Sequence, residues 1–254
     1  MRRILLIAAK SALALLSLAG VGLLALAVYF VWYTEYGLGL PNAAQIAAVS
    51  GTGPACKTDW RGTYVPLAEI PPLLQKAAIL DAEPDFYERW PNPFVELALA
   101  MAFDHKPRPS HIAGSVTRCL LQSLAPNCCR GGLDWPIGNF VMTDRVARTL
   151  SRDRILEIYL NESYLGRGSY GFSAASAAYF GKPLGQLSID EIALLTVLPR
   201  MPSMLDRPDR AKDRRNVIID RMLQAGIITT ADWATARKRP VQLRERPAAK
   251  SPAL

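Results

Sequence analysis

The chain has 254 residues, half of them hydrophobic, with 30 Lys and Arg against 22 Asp and Glu and a formal charge of +8. That length accommodates one membrane anchor plus one domain large enough for a substantial core, and the stretch after residue 240 has no room for a second domain. The positive balance suits anionic lipid or diphosphate groups; nucleic acid would satisfy the same number, but no basic motif interleaved with aromatic residues supports it, so no nucleic acid partner is expected.

Arg2, Arg3 and Lys10 precede an uncharged apolar run from Ser11 to Tyr33, long enough at 1.5 Å per residue to cross a hydrocarbon core of ~30 Å. Positive charge on its N-terminal side predicts a cytoplasmic N-terminus. Tyr29, Phe30, Trp32 and Tyr33 form an aromatic belt at the far interface, with the rest of the chain outside the cytoplasm. Ala25-Leu26-Ala27 resembles a signal-peptide cleavage site but lies inside the run, so a retained anchor over residues 1–36 is favoured. Residues 37–64, rich in Gly, Pro and small residues, read as a loosely packed linker without chemistry.

Pro71 and Pro72 start an amphipathic helix carrying Leu73, Leu74, Ala77, Ala78 and Leu80, which ends near Pro84. Of the four cysteines, adjacent Cys128 and Cys129 rarely bridge each other, so a partner at Cys119 or Cys56 is expected; no metal-ligand spacing is present. Ser151 caps a helix of about ten residues whose apolar face is Ile155, Leu156, Ile158, Tyr159 and Leu160. Glu157 and Asn161, four apart, share one side of it and can hydrogen-bond each other; the spacing alone favours a structural pair that orients a turn. Gly166, Gly168 and Gly171 stop that helix, and Ser173 to Phe180 form a short second one. Ser188 to Glu191 is a capping box before a buried helix stopped by Pro199. Val217, Ile218 and Met222 point inward from a helix ended by Gly226. Thr229, Thr230 and Asp232 start a last helix through Trp233, and the tail, 241–254, is basic, Pro-rich and disordered. With no repeats and no strand-like alternation, the domain over 65–240 should be mainly α.

The stretch ILEIYLN from Ile155 to Asn161, then GRGSYG from Gly166 to Gly171 and AAYFGK ending at Lys182, resembles the central signature of glycosyltransferase family 51, the peptidoglycan glycosyltransferases. That pattern is S-K-x-x-I-L-E-x-Y-L-N, G-x-G-x-Y-G and Y-F-G-K, with Arg152 here in place of the lysine. The likeness extends over about residues 65 to 235, including Ile70-Pro71-Pro72 and Arg214 to Met222. It implies a lysozyme-like, mainly α domain behind one transmembrane helix of the bacterial inner membrane, facing the periplasm. The implied substrate is lipid II, the lipid-linked peptidoglycan precursor, with other cell-wall synthesis proteins as further partners. No cofactor is required; a divalent cation could assist diphosphate departure, though no acidic cluster nominates a site.

The family's reaction needs a carboxylate to take the acceptor hydroxyl proton and polar or cationic groups to stabilise the leaving diphosphate. Aligned on Phe86 without gaps, Ala82 falls at the base of E-D-x-x-F and Glu83 beside it; with one deletion Glu83 is the base. A surface or capping role for Glu83 is the alternative. The G-G-S-T-I-T-Q-Q motif survives as Ala113 to Cys119, where Ser115 and Thr117 would line the donor site and Arg118 could supply charge. Asn139 stands at the second glutamate of R-K-x-x-E, whose cations fall on Trp135 and Pro136; Asp134 is the nearest carboxylate, and Pro136 would interrupt a helix. Arg118, Arg152 and Lys182 become diphosphate contacts by this likeness, with Glu157 and Asn161 supporting the site.

The resemblance implies an inverting enzyme that polymerises lipid-linked disaccharide with Glu83 as base. The alternative is a catalytically inactive relative, binding lipid II, glycan or synthesis partners as a scaffold or regulator. A glycan hydrolase fits the Y-L-N and Y-F-G-K signatures less well. Transpeptidation is not expected. The stretch Asp104 to Gly132 corresponds to the family's mobile jaw.

Overall fold

The computed structural model describes residues 2–56, 63–88, 101–102, 110–129 and 131–244. No strand occurs among them; Tyr164 and Tyr170 form one isolated antiparallel bridge. The mainly α expectation holds.

Helix α1, Arg2–Trp32, runs into a wide turn at Tyr33–Gly37, and its stretch from Leu16 is apolar and long enough to cross a membrane. Tyr33 Oη donates to Asp134 Oδ1 (2.5 Å) and Glu35 pairs with Arg145 (2.6 Å), so the helix end is fastened to the domain.

The described part of the segment expected to be a loose linker, residues 37–56 and 63–64, is packed. Helix α2, Ala43–Ala47, is closed by an Asn42–Gln45 capping box, and Leu38, Leu40 and Ile46 are buried. Gly and Pro here provide turns, while the few apolar side chains supply burial. Helix α3, Pro72–Ala82, starts on Pro71 and Pro72 as expected and buries Leu74, Ala77 and Ala78. Helix α4, His111–Leu124, and helix α5, Asp134–Thr149, pack against each other. Of the expected jaw, residues 104–109 and 130 lie outside the described residues. Pro136 sits in the first turn of α5, where its missing N–H costs nothing, so it does not interrupt the helix interior.

The cysteines pair as Cys56–Cys119 and Cys128–Cys129, correcting the expectation for the adjacent pair. Cys119 on α4 is taken by Cys56, whose Cα lies 5.7 Å away, a normal bridging distance. Cys129 rests on Gly138 of α5, where a Cβ would collide with its sulfur.

Helix α6, Arg152–Glu162, is capped by Ser151 and buried at every position from Arg154 onward. A helix buried all round must pair each polar side chain, and this one pairs them with the lead-in. Arg154 donates to Val49 O (2.8 Å), Gly53 O (2.6 Å) and Glu157 Oε1 (2.6 Å). Glu157 also accepts from Tyr64 Oη (2.5 Å) and Leu67 N (2.7 Å). Asn161 closes a two-way amide pair with Val65, at 2.9 and 2.8 Å. Glu157 and Asn161 meet through the Glu157 carbonyl (2.9 Å), not side chain to side chain.

Helix α7, Phe172–Phe180, follows Gly171, where φ is 81° and a Cβ would strike the Asn161 carbonyl. Helix α8, Ile189–Val197, has the expected Ser188–Glu191 capping box. Helix α9, Pro208–Gln224, buries Ile218, Ile219 and Met222, whereas Val217, expected inward, is 47% exposed. Helix α10, Thr230–Lys238, runs beyond Trp233, which donates to Asp220 (2.7 Å). The tail is not disordered from its start: Arg244 N donates to Tyr179 O (2.7 Å), and Val241 and Leu243 pack on the core. Residues 245–254 lie outside the described residues.

Substitutions in the α6 clamp and its neighbouring bridge should register directly in stability. Arg154→Met strands the buried Glu157 carboxylate, a loss of about 3 kcal/mol, read as a fall of about 6–12 °C in Tm. Burial pushes the Glu157 carboxyl up, but hydrogen bonds from Tyr64, Leu67 and Arg154 outweigh it and leave it below its ordinary value. Its contribution is therefore full above the ordinary carboxylate range and is lost as pH falls through the depressed folded value. Glu157→Gln should flatten that acid limb in melting curves. Replacing Cys56 and Cys119 by Ser opens a loop with separation 63, expected to cost up to about 4 kcal/mol in denaturant titration.

Candidate active site

Helix α3 ends at Ala82, and Glu83 is its C-terminal cap, with its N–H still bonded to Ile79 O (2.8 Å). Pro84 disfavours helical geometry at the preceding residue and so forces the exit there. Ala82 lies in the apolar core, and Glu83 turns onto the start of α4. The Glu83 side chain is buried, and its Oε2 accepts from Ser110 Oγ at 2.5 Å. Ser110 is the N-cap of α4, and its oxygen also accepts from Ala113 N (3.0 Å). Donating one way and accepting the other, that hydroxyl has its orientation fixed. Sequence reasoning misses Ser110; its signal is a capping serine directly before the helix that carries Ser115 and Arg118.

Arg152 lies over the Phe86 ring, 5.6 Å from its centroid, and Tyr87 Oη donates to Asp153 Oδ1 (2.8 Å). The first turn of α6 therefore holds the turn that follows Glu83. Next to Ser110, His111 is kept below its usual pKa by burial first, then by Arg200 and Arg118. Asp81, two residues before Glu83, is buried and accepts from Arg200 and Arg221. Burial still wins there and raises its carboxyl above the ordinary value.

Along α4 a cleft of about 320 Å³ opens beside Ser115, Arg118 and Gln122, faced by Ser163, Tyr164 and Tyr170. Two of the expected donor-site residues line it, and Arg118 Nη2 reaches Ser115 Oγ at 3.3 Å. Thr117 is on the opposite, fully buried face of the helix. Gln122, also missed from sequence, is one turn beyond Arg118, a spacing that puts it on the same face. At 1.5 Å per residue, Arg118 stands roughly 12 Å along the helix from Ser110.

The other expected site residues do not line this cleft. Glu157 and Asn161 hold the segment 64–67 that leads into α3. Asp134 is bound by Tyr33 at the end of α1. Lys182 pairs with Glu191 (2.6 Å) and lines a different cavity, beside Arg215 and Arg239. Asn139, on α5, has its Oδ1 buried without a hydrogen-bond partner among the described residues. Glu162 accepts from Ala55 N (2.5 Å) and Cys56 N (2.8 Å), and burial raises its carboxyl. It converges with Cys56 and Cys119 in a three-residue grouping, but the two sulfurs are bonded to each other, which leaves one carboxylate for any cation.

Comparison with known proteins agrees with the motifs. The transglycosylase family model matches residues 52–223. Penicillin-binding protein 1A of Aquifex aeolicus is 31% identical over 188 residues, covering 72% of this chain and 26% of that protein. Penicillin-binding protein 1A of Escherichia coli is 35% identical over 202 residues, covering 76% and 23%. A Cupriavidus necator protein named "Putative transglycosylase H16_A0665" is 31% identical over 184 residues, 71% of this chain and 79% of its own length. The chain thus spans about a quarter of the length of these penicillin-binding proteins. By its motifs and this match, the chain belongs to the transglycosylase family, of the peptidoglycan glycosyltransferase type.

Proposed function

We propose that the chain polymerises a lipid-linked disaccharide precursor of peptidoglycan, lipid II, with Glu83 as general base. The observation that carries this reading is the placement of a buried carboxylate at the end of α3, oriented by Ser110 at the start of the helix whose flank forms the cleft. In the reaction the 4-hydroxyl of one sugar attacks the anomeric carbon of the next and gives its proton to Glu83. The C–O bond to the lipid diphosphate breaks with inversion. Arg118 in the cleft and Arg152 beside Phe86 would offset charge on the leaving diphosphate. A divalent cation, if one takes part, would serve that same leaving group. Arg2, Arg3 and Lys10 keep the N-terminus in the cytoplasm, so the domain works at the outer face of the inner membrane.

One observation favours a second reading, a relative kept for binding. Asn139 occupies the place of the family's second glutamate, and the segment Trp135 to Gly138 carries neither of that motif's cations. Asparagine keeps the shape and loses the acid–base capacity. Such a chain would recognise lipid-linked precursor, glycan or synthesis partners without joining sugars.

Glu83→Gln preserves shape and the contact with Ser110. It is expected to lower glycan polymerisation from labelled lipid-linked disaccharide by about 10²–10⁴-fold, measured with full-length protein in detergent. Glycan from parent and variant alike would remove Glu83 from the chemistry. No glycan from either, with precursor still bound, would establish the binding reading. Ser110→Ala removes both the carboxylate's partner and a helix cap. It should cost about 1 kcal/mol of stability, a Tm fall of about 2–4 °C, and slow polymerisation less than Glu83→Gln does.

A further inference from the structure

Another cavity, about 560 Å³, shares no lining residue with the α4 cleft and is lined by Arg200, Met204, Arg207, Arg210, Asp213 and Arg214. A smaller one adjoins it through Arg200, Met201 and Arg214 and reaches Asp81 and Arg221. Arg207 caps α9, and Arg210 and Arg214 come next on one face of that helix. Together the two cavities set five arginines against two carboxylates.

The arginines are not spent on each other's neighbours. Arg200 and Arg221 hold Asp81 Oδ1, whereas the guanidinium groups of Arg207, Arg210 and Arg214 make no hydrogen bond or ion pair among the described residues. Asp81, which lines the smaller cavity, is 3% exposed, and its Oδ2 has no hydrogen-bond partner among the described residues. Like charges gathered in a concavity focus a positive potential. Guanidinium forks match phosphate oxygens in pairs, with stronger bonds than neutral donors give. We propose that this arginine-lined groove is a binding site for a phosphate group, separate from the α4 cleft and independent of Glu83.

Two sources of phosphate are separable by experiment: a soluble diphosphate and an anionic lipid headgroup. Full-length protein in neutral detergent at low salt would be titrated with inorganic pyrophosphate by calorimetry, and separately with micelles doped with phosphatidylglycerol. The comparison is an Arg207→Gln, Arg210→Gln, Arg214→Gln variant, whose exposed and unbonded side chains leave Tm unchanged. A charge-matched control carries Lys76→Gln, Lys212→Gln and Lys238→Gln at exposed positions. Saturable binding by the parent, at least about tenfold weaker in the arginine variant and preserved in the lysine control, is the expected result. Pyrophosphate binding identifies a soluble source, and binding only to the doped micelles identifies a headgroup. Glu83→Gln should bind as the parent does, whatever its effect on polymerisation. Binding of neither probe, equal binding by the arginine variant, or equal weakening in the lysine control would overturn the proposal.

Discussion

The structure depends on one polar clamp. Helix α6 is buried all round, so Arg154, Glu157, Asn161 and Glu162 find their partners in chain far upstream: Val49, Gly53, Tyr64, Val65, Leu67, Ala55 and Cys56. A buried ion pair adds little stability by comparison with apolar packing of the same volume, but it punishes any arrangement that leaves a member unpaired. Here that penalty selects one path for the lead-in. The Tyr64 hydroxyl, its pKa pushed up to about 12 by burial and then by Glu157, stays protonated and keeps donating.

From that fixed path comes the site. Leu67 and Val65 stand a few residues before the two prolines that start α3, so α6 fixes where α3 begins and hence where Glu83 emerges. Ser110 then receives the carboxylate on α4, and the Cys56–Cys119 bridge ties the same lead-in to the same helix. The first turn of α6 adds Arg152 and Asp153 against Phe86 and Tyr87. One helix therefore supports both sides of the junction.

Much of this is legible in the sequence because it rests on local chemistry. Capping residues at Ser151, Ser188 and Thr229 and prolines at 71 and 72 act within a few residues of themselves, and the structure uses each as expected. Glycines at 166, 168 and 171 take the expected positive φ, but α6 already ends at Glu162, before them. Partners set by tertiary contact are not legible in that way. Nothing local shows that Arg154 reaches Val49, that Ser110 meets Glu83, or that Lys182 is taken by Glu191. Residues 37–56 mislead for the same reason: a few apolar side chains among Gly and Pro look like linker until the surface that covers Leu38, Leu40 and Ile46 is present. Val217 reads as inward from its apolar neighbours, yet the helix turns that position to solvent.

The most direct test of the clamp is hydrogen exchange at two backbone amides, Val65 N–H, which donates to Asn161 Oδ1, and Leu67 N–H, which donates to Glu157 Oε2. Neither belongs to a longer helix whose ladder would protect it. If the clamp organises the domain, both should exchange as slowly as the core amides of α6, through the same global opening. Fast exchange at Val65 and Leu67 while α6 stays protected would contradict the account, because the lead-in would then come and go independently of that helix.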